Sequence, residues 1–262
     1  MRKHLFILVL VLSLVTVSFS GATASNLRIG ATPVPHAEIL EAVAPLLAEQ
    51  GITLEIIEFT DYVQPNLALQ DGDLDANFFQ HVPYLNSFNE GRGTTLVAVG
   101  GVHVEPLGIY SNRISSLDDL TTGAQVAIPN DVTNGGRALL LLQAAGLIEV
   151  DEAAGITPTV FDITVNSQNL RFHELEAAQL SRSLDDVAIA VINGNYALQA
   201  GFVPTEDSLF LEGAESPYVN VVAVKAGSEE DVRVLALVEA IRSDAIRTFI
   251  QESYPGSVVP VF

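Results

Sequence analysis

Twice along this chain a short apolar run gives way to a polar turn and then to apolar residues at helical spacing. The first instance is Leu27-Arg28-Ile29-Gly30-Ala31, the turn Thr32-Pro33-Val34-Pro35-His36, and then Ile39, Val43, Leu46 and Leu47. The second is Ala124-Gln125-Val126-Ala127-Ile128, the Gly-bearing stretch Pro129-Asn130-Asp131-Val132-Thr133-Asn134-Gly135-Gly136, and a Leu-rich helix from Arg137 to Ala145. Strands alternating with helices bury their apolar faces as helices laid on a sheet, and the crossovers favour parallel neighbours. Runs at Leu54 to Phe59, Leu74 to Phe79 and Ala188 to Ile192 continue the pattern. It predicts an α/β chain of two similar lobes, each a mostly parallel sheet flanked by helices. Tyr218 to Val224 reads as a strand that returns to the first lobe. Ser228 then opens a last helix with Val234, Leu237, Val238 and Ile241 on one face. The expected division is 25–108 completed by 218–262 for one lobe, and 109–217 for the other.

Residues 1–24 stand apart. Met1-Arg2-Lys3-His4 is basic, Leu5 to Phe19 is apolar, and Ala22-Thr23-Ala24 fits a small-residue cleavage rule. This is the pattern of a secretory signal peptide, and the apolar run is short for a span of roughly 20 residues. Without it the chain carries 10 basic against 32 acidic residues, with Lys225 as its single lysine. Such a surface repels nucleic acid and anionic lipid. The absence of Cys excludes a disulfide framework, a thiolate metal site and a lipid-modified cysteine.

The residues suited to chemistry gather in three places. Leu74-Asp75-Ala76-Asn77-Phe78-Phe79-Gln80-His81-Val82-Pro83-Tyr84-Leu85 sets aromatics, a His and amides around a strand end, the mixture that an apolar ligand with a polar head requires. Alternation along the strand turns Phe79 toward a cleft and Phe78 into the core. Tyr62 lies in the preceding strand-to-helix loop, and strand ends form the crevice of open α/β sheets. Tyr62, Phe79, His81 and Tyr84 therefore read as a pocket wall, with ordinary core packing as the other reading. Arg137, placed at a helix start after two glycines, suits a carboxylate; an Arg paired with a neighbouring acid has the same local sequence. Asn195 and Asn220 follow strand-like segments, and an amide accepts from an ammonium and donates to a carboxylate; Asn193-Gly194 is first of all a turn signal. Together these features point to a secreted protein that captures a small amino acid. Scattered histidines without ligand spacing argue for no metal and no cofactor, and no nucleophile–base motif argues for an enzyme.

Eight segments carry a resemblance that covers nearly the whole chain after residue 24: Gly30 to Glu38, Glu58 to Asn66, Leu74 to Leu85, Val102 to Pro106, Ala127 to Arg137, Glu174 to Leu180, Ala190 to Ala197 and Ser216 to Asn220. In them the chain resembles the substrate-binding proteins of methionine ABC importers. The resemblance implies a two-lobed periplasmic-binding-protein fold of type 2, a monomer, and methionine clamped between the lobes for delivery to a permease with its ATPase. D-methionine, methionine sulfoxide or a methionine dipeptide remain as ligands, and a surface-interaction protein that kept the fold remains as a different role. In such proteins the residues matching Tyr62, Phe79, His81 and Tyr84 line the side-chain pocket, and those matching Arg137, Asn195 and Asn220 hold the head group. One departure stands out. The family's lipobox Cys has no counterpart, and Ala22 follows Ser18-Phe19-Ser20-Gly21. The expected location is periplasmic or otherwise extracytoplasmic, with an uncleaved signal as the alternative means of retention.

Overall fold

The alternation is realised as two sheets, each with its own core. The computed structural model describes residues 25–213 and 216–262; the segment read as a signal peptide lies outside the described residues. In chain order the elements are β1 (Ser25–Ala31), α1 (Glu38–Ala48), β2 (Ile52–Glu58), α2 (Gln64–Asp71), β3 (Ala76–His81), α3 (Val82–Arg92) and β4 (Leu96–Val104). Then come β5 (Gly108–Tyr110), β6 (Gln125–Pro129), α4 (Val132–Ala144), β7 (Glu149–Val150), β8 (Ile163–Val165), β9 (Arg171–Leu175), α5 (Leu180–Ser183), β10 (Ile189–Ile192), α6 (Gly194–Gln199), α7 (Pro204–Asp207) and β11 (Phe210–Leu211). The chain closes with β12 (Val219–Lys225), α8 (Val232–Ile241), α9 (Asp244–Ser253) and β13 (Val259–Pro260).

The first sheet runs β13-β4-β12-β3-β1-β2 and the second β11-β5-β10-β6-β9. The fold is two-lobed α/β, and the sheets are mixed. β1 pairs in parallel with β2 and β3, and β6 with β9 and β10, as helix crossovers require. β12, β4 and β13 pair antiparallel, as do β5 with β10 and β11 with β5. The antiparallel strands are those that bring the chain into or out of a lobe, so no crossover helix fixes their direction. The chain leaves the first sheet after Val104 and re-enters it at Val219.

Each sheet buries a separate cluster. Leu27, Ile29, Phe78, Val222, Leu237 and Ile250 share one. Ile109, Val126, Ile128, Leu139, Leu142 and Val191 share another. Central β3 is buried along its whole length, as expected of a strand with both faces covered. Gly72 ends α2 in the left-handed conformation, at φ 86°. Among the described residues no helix is long and apolar enough to cross a membrane.

Two local expectations are corrected. Arg137 does not open its helix: α4 begins at Val132, and Asp131 caps it by accepting from the Asn134 amide at 2.9 Å. The glycine pair lies inside the helix because neighbours crowd it. A Cβ on Gly135 would sit 2.8 Å from the Pro129 carbonyl oxygen, and one on Gly136 2.7 Å from Thr157 Cα. The cap of α8 is Asp231 rather than Ser228.

Candidate ligand-binding site

The ends of β3 and β10 face each other across the cleft between the lobes, and the side chains singled out in the sequence meet there. Tyr62, Phe79, His81, Tyr84, Arg137, Asn195 and Asn220 all line one pocket of about 340 Å³. Gln80, Glu105, Asn134, Asn193 and Gly194 complete the wall. Tyr62 and Tyr84 also border a second cleft of about 920 Å³ shared with Asp61, Asp131 and Glu176, so these two rings stand between the two spaces.

The first lobe supplies the aromatic wall. Strand alternation sends Phe78 into the core and Phe79 against Tyr84, Phe88 and Tyr62. The Tyr62 ring lies 5.8 Å from Phe79 and 5.7 Å from Tyr84, and Tyr84 donates its hydroxyl hydrogen to the Tyr62 carbonyl at 2.9 Å. His81 caps α3 through Nδ1, which accepts from the Tyr84 amide at 3.1 Å. That fixes the proton on Nε2, which donates to Asn134 Oδ1 of the second lobe at 3.1 Å. Burial and the nearby Arg137 charge push His81 down to about 3, so the ring stays neutral.

The second lobe supplies Asn134, Arg137, Asn193 and Asn195. Asn134 gives its amide hydrogens to Asp131 and accepts from Asn193 at 2.8 Å as well as from His81. Gly194 is required by close approach, since a Cβ there would lie 2.7 Å from Glu105 Cβ. Asn195 accepts from the Tyr62 hydroxyl at 2.5 Å, and the Tyr196 hydroxyl donates to the Thr60 carbonyl at 3.2 Å. These bonds cross from lobe to lobe.

Arg137 is buried, and its fork is already engaged. Nε donates to Glu212 Oε1 at 3.0 Å, Nη2 donates to Glu212 Oε2 and, at 2.8 Å, to the Glu105 carbonyl, and the guanidinium lies 4.3 Å over the Tyr218 ring. The carboxylate-pairing chemistry read in the sequence is thus spent in part on an acid of the chain itself, and Nη1 is the nitrogen without a partner among the described residues. Two buried amide atoms of the wall also lack one: Asn195 Nδ2, a donor, and Asn193 Oδ1, an acceptor. The site therefore offers both a donor set and an acceptor set, the requirement of a zwitterion.

Sequence reading missed Glu105, Asn134, Asn193 and the grouping of His36 with His103. Glu105 is a lone acid in an apolar run, which is itself a usable signal; Asn193 was absorbed by the turn that it does form. His36, His103 and Glu105 place three ligand-type atoms within 4.8 Å of one another, all buried. Their spacings are those of direct hydrogen bonds, with Glu105 Oε1 2.7 Å from His103 Nε2 and 3.2 Å from His36 Nε2. His103 Nδ1 has no partner to orient the ring as a metal ligand's usually is. Burial pushes His36 down to about 4, and the two imidazoles hold Glu105 below the usual carboxylate range against the opposing effect of burial.

A stability profile follows. His36 and His81 stay neutral in the fold to about 4 and about 3, while the unfolded chain protonates both below about 6.5. The unfolded state then binds more protons, so stability is full above about pH 6.5 and falls as the pH drops toward 4. Urea titrations between pH 8 and pH 4 should show this decline, and it should be shallower in His81→Gln. An equal slope in that variant would mean that His81 titrates normally in the fold.

Relatives place the chain in a family. The sequence profile described as NlpA lipoprotein matches residues 27–262. The chain belongs to that family. The D-methionine-binding lipoprotein MetQ of Escherichia coli K12 is 43% identical over 238 residues, spanning 90% of this chain and 88% of that protein. A nutrient-binding protein from Burkholderia cenocepacia, solved bound to methionine, matches with a TM-score of 0.88 and 45% identity over 90% of this chain and 100% of that one. A periplasmic substrate-binding protein of an ABC transporter from Coxiella burnetii matches with a TM-score of 0.86 and 43% identity, covering 90% of this chain and 100% of that one. The NlpA relatives are named as lipoproteins, whereas this chain has no Cys to carry a lipid.

Proposed function

We propose that this protein captures methionine between its lobes outside the cytoplasm and delivers it to an ABC importer. The observation that carries the reading is the pocket in which a tyrosine and phenylalanine wall faces a zwitterion-type set of donors and acceptors. Tyr62, Phe79 and Tyr84 surround the thioether, where sulfur–aromatic contacts contribute roughly 0.3–1.5 kcal/mol each. Arg137 Nη1 and Asn195 Nδ2 meet the carboxylate, joined by Asn220; Asn193 Oδ1 and Glu105 accept from the ammonium. His81 braces the wall by tying it to Asn134.

The names of the NlpA relatives and the methionine-bound neighbour support the ligand, and the transporter neighbour supports the partner. Residues 25–108 with 218–262 form one closing unit and 109–217 the other; the protein acts as a monomer that binds without turnover. Ligand contacts to both units favour the closed state. Export rests on residues 1–24.

Calorimetric titration of refolded, ligand-stripped protein with L-methionine, D-methionine and methionine sulfoxide tests this. Saturable one-to-one binding is expected for methionine, and the order of the three ligands defines the specificity. A folded, empty protein that gives no heat at several temperatures would overturn the reading.

A further inference from the structure

Beneath the pocket lies a set of buried polar groups that reaches it only through Glu105 and Asn220. His36 Nδ1 is 2.7 Å from Thr32 Oγ1, and His36 Nε2 faces two oxygens, Glu105 Oε1 at 3.2 Å and Asn220 Oδ1 at 3.1 Å. His103 Nε2 is 2.7 Å from the same Glu105 oxygen. Strand register builds this set: Asn220 of β12 stands between His81 of β3 and His103 of β4. Phe78 packs edge-on against both imidazoles, 4.7 Å from His36 and 5.4 Å from His103, and leaves them little freedom to turn.

The donor and acceptor roles in this set are forced. An ionised carboxylate only accepts, so both Nε2 atoms that face Glu105 must carry hydrogen. With its hydrogen on Nε2, His36 presents a lone pair at Nδ1 and accepts from the Thr32 hydroxyl. The Nε2 hydrogen also faces Asn220, so the Asn220 amide must turn its oxygen inward; the flipped amide would set N–H against N–H. Asn220 therefore presents its NH₂ to the pocket.

We infer that His36 and His103 are positioning residues which fix the polarity of the head-group site, setting Asn220 as a donor toward a ligand carboxylate and holding Glu105 with its second oxygen toward an ammonium. The assignment of the two ligand groups rests on the methionine reading; the polarity itself does not. Neither histidine lines the pocket, and their effect passes through Asn220 and Glu105.

The first readout needs no ligand. Long-range ¹H–¹⁵N spectra of the labelled protein at pH 7, with signals assigned by their loss in His36→Gln and His103→Gln, should show a hydrogen on Nε2 of both rings and a bare Nδ1 on His36. They should not change with one equivalent of zinc. A bare Nε2 on either ring, a proton on His36 Nδ1, or stoichiometric zinc on these nitrogens would overturn the inference. The second readout compares L-methionine with L-methioninol, which lacks the carboxylate. His36→Leu frees the Asn220 amide to flip, so it should weaken L-methionine about tenfold and L-methioninol far less. His36→Gln restores an N–H near the Nε2 position and should recover most of the loss. Equal weakening of both ligands in His36→Leu would reduce His36 to a packing residue. If the wild type shows the expected tautomers yet binds no methionine, the ligand reading fails while the polarity stands.

Discussion

Replacing Arg137 with alanine is expected to weaken methionine binding at least tenfold and to lower stability by about 2 kcal/mol. Both losses come from one buried guanidinium. Its fork neutralises Glu212, one of its N–H groups holds the Glu105 carbonyl, and its face covers Tyr218. Alanine leaves Glu212 without its cation and leaves the Glu105 charge unbalanced close to an incoming carboxylate. A charge-assisted bond contributes roughly 1.5–3 kcal/mol, which is one to two powers of ten in affinity. Arg137→Lys should recover only part of either quantity, since an ammonium cannot hold Glu212 through two parallel bonds and still direct a third nitrogen into the pocket. Calorimetry and urea unfolding of the same samples separate the two effects. Unchanged affinity in Arg137→Ala would remove the residue from the site and leave it a purely structural ion pair.

Neighbouring phenylalanines should fail in opposite ways. Phe78→Ala is expected to cost roughly 3–5 kcal/mol of stability, the range for a fully buried aromatic, because Phe78 fills the first-lobe core against both buried imidazoles. Phe79→Ala opens the pocket wall beside Tyr62 and Tyr84 instead. Methionine affinity should fall about tenfold or more there, with a smaller loss of stability, since the space created adjoins an existing pocket. Should Phe79→Ala prove the more destabilising variant and bind normally, the facing of β3 would be reversed and the pocket misplaced.

That the two residues can be told apart from sequence shows what was legible. Period-two alternation assigned Phe78 and Phe79 to opposite faces, and strand-then-helix rhythm indicated the two-lobed α/β class. These are local patterns, and local patterns survive in one dimension. The entry of β12 between β3 and β4 was not legible, because antiparallel insertion depends on partners more than a hundred residues away. The Asn134-Gly135-Gly136 stretch misled for a related reason: its glycines answer to Pro129 and Thr157 packed against a helix, not to a turn. Thr32 with His36, His103 with Glu105, and Asn220 come from three distant segments, so no spacing rule could join them all. The individual pocket residues were readable by type, while the pairing of Arg137 with Glu212 required the fold.

The two tyrosines that stand between the pocket and the neighbouring cleft carry a consequence for timing. Tyr62 is tied to Asn195 across the lobes, and Tyr84 is tied to Tyr62. A captured molecule cannot leave past these rings until they part, so its escape rate has a ceiling set by the opening motion, whatever its own contacts are worth. Loosening the Tyr62 latch, as in Tyr62→Phe, raises that ceiling for every cargo alike, and hand-over to a permease becomes a contest between deliberate unlatching at the membrane and spontaneous leakage on the way there.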